Sequence, residues 1–132
     1  MGLLPAKFPW GDADKVIPHD LDVYEVFTEK HNGILVNQDT ARIFLSRAAR
    51  KYAERFDGYL FFKYNRGAPV ALRELLDQGL YHIPDSYTPK EINDAVNEIL
   101  QLSFPEYWKE REKRLAKQKG IETKHKGESP SR

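Results

Sequence analysis

The side chains able to do metal or acid–base chemistry are few and scattered. The chain has four histidines, His19, His31, His82 and His125, and no cysteine. His19, Asp20 and Asp22 put three ligand-type side chains in one short stretch. His82 or Asp85 would complete a loop-built site if two loops converged. A helical zinc site needs its ligand pair four residues apart on one face, and no pair here has that spacing. A histidine–aspartate phosphohydrolase would need an earlier His and a later Asp on helices, whereas His19-Asp20 opens a strand. Pro84-Asp85 lacks the neighbouring Glu-x-Lys strand of a magnesium nuclease, because Glu122-Thr123-Lys124 lies in the polar tail. There is no Gly-x-Gly-x-x-Gly or P-loop, and none of the five serines sits in a nucleophile elbow. The expectation is a protein that is not an enzyme, with no cofactor and no metal. A small hydrolase built around His19, Asp20, Asp22 and His82 is the third choice.

Charge and aromatic residues carry the other candidate chemistry. Arg47, Lys51 and Arg55 recur every four residues, with Arg50 beside them, on a helix predicted from residue 41 to 56. Such a line suits phosphate, since each cation releases counterions; Glu54 dilutes it, and a solvated helix face is the plainer reading. Lys63, on the next strand, would extend the patch. From Lys109 onward nine Lys/Arg face four Asp/Glu, a charge of +5 that leaves −4 on the rest of a chain whose net charge is +1. An acidic body thus bears a basic tail. Residues 58–64, Gly-Tyr-Leu-Phe-Phe-Lys-Tyr, resemble in part the aromatic signature of RNA-recognition-motif domains, whose rings stack on bases. Asp57 stands where a basic residue is wanted, Leu60 where a small one is wanted, and the order of elements differs, so no family membership is drawn. Phe8, Trp10, Tyr107 and Trp108 are large rings near the chain ends, of the type that dominates interface energy.

The elements that would position these groups follow from pattern. Residues 1–18 contain Pro5, Pro9 and Pro18 and show no period, predicting an irregular arm that either folds back or docks on a partner. Residues 21–30 and 34–36 read as two strands joined by a type I′ turn at Asn32-Gly33. Asp39 or Thr40 caps the helix that follows, and Asp57-Gly58 ends it. Residues 59–64 form a third strand. Pro69 opens a short helix carrying Val70, Leu72, Leu75 and Leu76, closed by Gly79. Thr88-Pro89-Lys90-Glu91 is a capping box with proline at the first helical position. Ser103-Phe104-Pro105 breaks the helices, and the last one runs to about Lys119.

The expected fold is α+β: a ββαβ sheet packed by helices, with a helical C-terminal half. Residues 1–18 are the arm, 19–119 the single domain and 120–132 a polar tail. The expected core is Val23, Ile34, Leu35, Val36, Phe44, Ala48, Tyr52, Leu60 or Phe61, Leu72, Leu76, Ile92, Val96 and Ile99. No apolar run approaches the about 20 residues that span a bilayer, no signal peptide is evident, and without cysteine no disulfide-linked partner is possible. A soluble, intracellular protein is expected. Its expected function is a non-catalytic accessory or structural subunit docking on a larger assembly through Phe8, Trp10, Tyr107 and Trp108. The alternative is RNA or DNA binding through Arg47, Lys51, Arg55 and Lys63.

Overall fold

The computed structural model describes residues 13–29 and 31–127. Five strands form one sheet: β1 (Ala13–Pro18), β2 (Val23–Thr28), β3 (Asn32–Asn37), β4 (Glu54–Phe56) and β5 (Tyr59–Lys63). The spatial order is β1-β2-β3-β5-β4, and every neighbouring pair is antiparallel. Five helices complete the α+β fold: α1 (Gln38–Phe44), α2 (Arg47–Arg50), α3 (Ala68–Gln78), α4 (Pro89–Ser103) and α5 (Pro105–Gly127).

The first strand corrects the expected arm. Val16 and Ile17 lie opposite Val26 and Glu25 of β2. Pro18 is accommodated because it is the last residue of an edge strand, where a missing N–H costs the ladder little. Phe8 and Trp10 lie outside the described residues.

Two turn assignments exchange places. Asn32-Gly33 is not a turn; both residues belong to β3. The chain reverses one step earlier, where the Thr28 N–H donates to the His31 carbonyl at 3.0 Å and to Asn32 Oδ1 at 3.1 Å. Gly33 is needed for space: a Cβ there would sit 2.2 Å from the Phe62 carbonyl oxygen and 2.9 Å from the Phe61 ring. Asp57-Gly58, expected as a helix end, is the type I′ turn, with φ of 50° and 82°, and it joins β4 to β5.

The long helix predicted from 41 to 56 is interrupted for a tertiary reason. Asn37, rather than Asp39 or Thr40, caps α1 by accepting the Asp39 N–H at 2.8 Å. At Ser46 the chain leaves the helix because both the Ser46 N–H and its hydroxyl donate to the Glu74 carboxylate, at 2.7 Å each. Ser46 Oγ then accepts the Ala49 N–H and caps the single turn of α2. Residues 54–56 return as β4, so β5 pairs antiparallel with β3 and no crossover connection forms.

α1 and α3 cover one side of the sheet, burying Val23, Ile34, Val36, Leu60 and Phe62 against Ala41, Leu45, Ala71 and Leu75. α4 starts at the expected capping box, with Thr88 and Glu91 exchanging hydrogen bonds. It packs on α3, and α5 returns over the same junction, so that Val96, Leu100 and Tyr107 meet Ala49 and Val70. Phe44 and Tyr52 are half-buried rather than central. α5 continues past Gly120 to Gly127, beyond the expected helix end. No helix among the described residues is long and apolar enough to cross a membrane.

Candidate functional site

Three places bring functional side chains together. The first lies where the β1–β2 connection meets the loop after α3. Leu21 and Asp22 take left-handed backbone (φ 54° and 58°), which turns His19 back under the sheet edge. The His19 side chain is 1 % exposed and its Nε2 lies 3.1 Å from Glu25 Oε1. Its Nδ1 accepts the His82 backbone N–H at 3.0 Å, so the proton sits on Nε2 and is donated to Glu25. The Tyr81 hydroxyl donates to the same carboxylate oxygen at 3.1 Å, and the Tyr64 hydroxyl donates to the other. Tyr81 stacks on the His19 ring with centroids 4.4 Å apart.

Burial opposes the charge on Glu25, but the donors His19, Tyr64 and Tyr81 outweigh it and hold the carboxyl below its ordinary range. The phenols shift the other way: burial first, then the Glu25 carboxylate, pushes Tyr64 and Tyr81 up. Of the loop-built site, the structure unites His19, Asp20 and His82, with His82 Nε2 3.0 Å from Asp20 Oδ1. Asp22 is turned away and accepts the Tyr24 hydroxyl at 2.8 Å. The imidazole that would act as base is sealed from solvent and its two nitrogens are both occupied. The imidazole is thus shielded inside a hydrogen-bonded cluster, with His82 and Asp20 at its exposed rim. Among the described residues no group of three or more His, Asp or Glu is placed to hold a metal ion. Glu25, Tyr64 and Tyr81 were missed by sequence reasoning, although an acid inside the run Val23-Tyr24-Glu25-Val26-Phe27 was a signal that buried donors await it.

The second place is the junction of α2, α3 and α5. Tyr107, expected as a surface grip, is 3 % exposed, and its hydroxyl donates to Glu74 Oε2 at 2.5 Å. Tyr52 meets it edge-on at 6.4 Å. Trp108 is half-buried against the same cluster and carries the Arg111 guanidinium over its ring at 5.5 Å. Both rings pack at this junction; burial takes Tyr107 out of the expected partner anchors, while Trp108 keeps part of its surface open. A groove of about 670 Å³ beside them is lined by Ser46, Glu74, Asp77, Arg111 and Arg114. Its acids are already engaged: Asp77 pairs with Arg73 and Arg111, and Glu74 with Ser46, Tyr107 and Arg114. Ser46 has the Glu74 carboxylate beside it and no histidine among its described partners.

The basic line does not survive folding. Arg47 lies on α2, Lys51 ends it and Arg55 lies on β4; all three are exposed, but no single helix carries them. Lys63 pairs with Glu54 at 2.9 Å. The rings of the third strand are closed as well, since Tyr59 and Phe61 are buried.

The third place is the outer side of α4. Ile92, Val96 and Leu100 face inward. Ala95, Ile99 and Leu102 form a second apolar line, about 100° around the helix at 3.6 residues per turn. Ile99 is 43 % and Leu102 is 78 % exposed, which corrects the placing of Ile99 in the core. Asp94, Glu98, Gln101 and Glu106 are exposed beside it. A single helical stripe read from sequence merges Ile99 with its neighbour Leu100, although the two point a quarter turn apart. No protein-family model, curated protein or solved structure matches this chain.

Proposed function

We propose that this chain is a non-catalytic interaction module, an accessory or structural subunit that docks on a larger intracellular protein assembly through the outer face of α4. The observation that carries the reading is the Ala95–Ile99–Leu102 line. A helix with one apolar stripe needs one partner; α4 spends its inner stripe on α3 and α5 and presents a second. The fitting occupant is an apolar helical segment of a protein with basic residues at its rim, to meet Asp94, Glu98 and Glu106. Burying an aliphatic side chain fully yields about 1.5–3 kcal/mol; Leu102, 78 % exposed, has most of that still to gain and Ile99, 43 % exposed, less than half. The closed His19–Glu25 cluster supports the non-catalytic half of the reading.

A second reading has one supporting observation. Lys109, Lys113 and Lys117 recur every four residues on α5 and are all exposed, with Arg114 alongside. This line, not Arg47–Lys51–Arg55, would contact a phosphate backbone. One experiment separates the two. The tagged full-length chain is recovered with and without nuclease, beside Ile99→Asp/Leu102→Asp and Lys109→Ala/Lys113→Ala/Lys117→Ala variants. A nuclease-resistant protein partner lost only from the α4 variant is the expected result. Recovery of nucleic acid alone, lost from the α5 variant, would replace the first reading by the second.

A further inference from the structure

The groove between α3 and α5 carries more positive charge than its own carboxylates answer. It holds about 670 Å³, a size that takes a small organic molecule. Its charged lining is Glu74 and Asp77 on α3, and Arg111, Arg114 and Lys117 on α5. Asp77 is shared by Arg111, at 3.1 Å, and by the buried Arg73, at 3.0 Å. Glu74 accepts from Ser46 and Tyr107, and Arg114 reaches it only at 3.5 Å. Four cations thus stand around two carboxylates, and each carboxylate is already engaged by at least two donors.

The excess charge is held in place. Arg111 is 9 % exposed, and its Nη2 is bound to Asp77. Its buried Nε has no hydrogen-bond partner among the described residues. The Trp108 ring, 5.5 Å from the guanidinium, packs against it. A buried cation that is only partly satisfied is costly, and an anion set against it lowers that cost. Arg114 and Lys117 are exposed above it, on long side chains that can close on a ligand.

The chemistry of the ligand follows from charge and lining. A phosphate monoester at neutral pH carries close to two negative charges and three strong acceptor oxygens, which matches two cations in excess of two carboxylates. A carboxylate brings half that charge. The guanidinium fork of Arg114 suits phosphate oxygens, and Lys117 adds a point charge. Phe44 and Leu115, both half-buried, line the same groove and offer apolar surface to the rest of the molecule.

We infer that the α3–α5 groove binds a small phosphate monoester with an apolar body, its phosphate oxygens taken by Arg114 and Lys117 above the fixed charge of Arg111. The site shares no residue with the α4 docking line and stands independently of it.

Trp108 touches Arg111, and Trp10→Phe leaves it as the sole indole of the full-length chain. Phenyl phosphate is titrated into this protein at neutral pH, reading indole emission and Tm. The expected result is a saturable change in emission and a Tm that rises along the same binding curve. Inorganic phosphate and benzoate are each expected to bind about tenfold or more weakly. Lys117→Gln should weaken phenyl phosphate about tenfold, and Arg114→Gln/Lys117→Gln about 100-fold or more. Lys109→Gln/Lys113→Gln, outside the groove lining, should leave it unchanged. No saturable change would overturn the inference, as would full binding by the Arg114→Gln/Lys117→Gln variant or loss of binding in Lys109→Gln/Lys113→Gln. Benzoate bound as tightly would overturn the phosphate, and inorganic phosphate bound as tightly would overturn the apolar body. A single-stranded oligonucleotide that displaces phenyl phosphate at lower concentration would assign these cations to a nucleic-acid backbone and overturn the small-molecule site. If the double variant at 114 and 117 does not fold, Lys117→Gln decides.

Discussion

Glu25→Ala tests the closed cluster most directly. The carboxylate receives hydrogen bonds from His19, Tyr64 and Tyr81. Removing it leaves those donors unequally stranded. Tyr64 is 38 % exposed and can turn its hydroxyl to water, so its loss counts for little. His19, with a side chain 1 % exposed, and the half-buried Tyr81 keep donors with no acceptor. Each stranded buried donor costs about 1–3 kcal/mol, giving about 2–6 kcal/mol for the two at neutral pH. That is a large part of the about 5–15 kcal/mol that holds a domain together. The effect must also depend on pH. Burial alone would raise the carboxyl, but the three donors prevail and the folded value lies below the ordinary 4.5. A depressed carboxyl stabilises the fold above its unfolded pKa, and the stabilisation is lost as pH falls through the folded value. The gap between wild type and variant is therefore widest at neutral pH and narrows as pH falls through the folded value, below 4.5. Urea melts of both proteins at neutral and strongly acidic pH measure it. A gap under about 0.5 kcal/mol at neutral pH, or one that is the same in acid, would refute the account of Glu25 as a charged, fully engaged acceptor.

Tyr107→Phe should cost about 1.5–3 kcal/mol through the lost bond to Glu74, and Tyr107→Ala about 3–5 kcal/mol; a neutral Tyr107→Ala in thermal melts would return the ring to the surface. Gly33→Ala should destabilise more than Gly58→Ala, because the first drives a methyl onto the Phe62 carbonyl whereas the second meets open space and strains only its backbone, by about 1–2 kcal/mol. The reverse order would restore Gly33 to the role of turn residue. Alkali should unfold the chain: burial, then the Asp22 hydrogen bond, pushes Tyr24 up to about 12, and Tyr64, Tyr81 and Tyr107 are also raised. Folded phenols held neutral contribute stability that is present below their ordinary 10.0 and lost as pH rises through the folded values, so a Tm constant from neutral pH to about 12 would contradict the burial of Tyr24 and Tyr107. Ile99→Asp/Leu102→Asp should move stability by no more than about 0.5 kcal/mol per site, as for other surface changes; unfolding would make that line part of the core.

What the sequence determined by itself was whatever a segment settles within its own few residues. Thr88 and Glu91 cap α4 across a single turn, and Phe104-Pro105 separates α4 from α5 because proline cannot continue the ladder. β2, β3 and β5 are legible because β-branched and aromatic residues crowd into short runs. The rest depended on partners far along the chain. Asn32-Gly33 and Asp57-Gly58 carry the same turn signature, and only strand pairing decides that the second is used while Gly33 makes room for Phe62. Residues 41–56 have helical period throughout, yet Glu74 takes Ser46 out of the helix with two hydrogen bonds from 28 positions away. The candidate sites follow the same division. His19 and His82 were visible as residue types, but their meeting around Glu25, Tyr64 and Tyr81 required separations of up to 63 residues to close. Ile99 and Leu100 are neighbouring aliphatic residues; that Leu100 is buried and Ile99 exposed was decided by which side of α4 met α3.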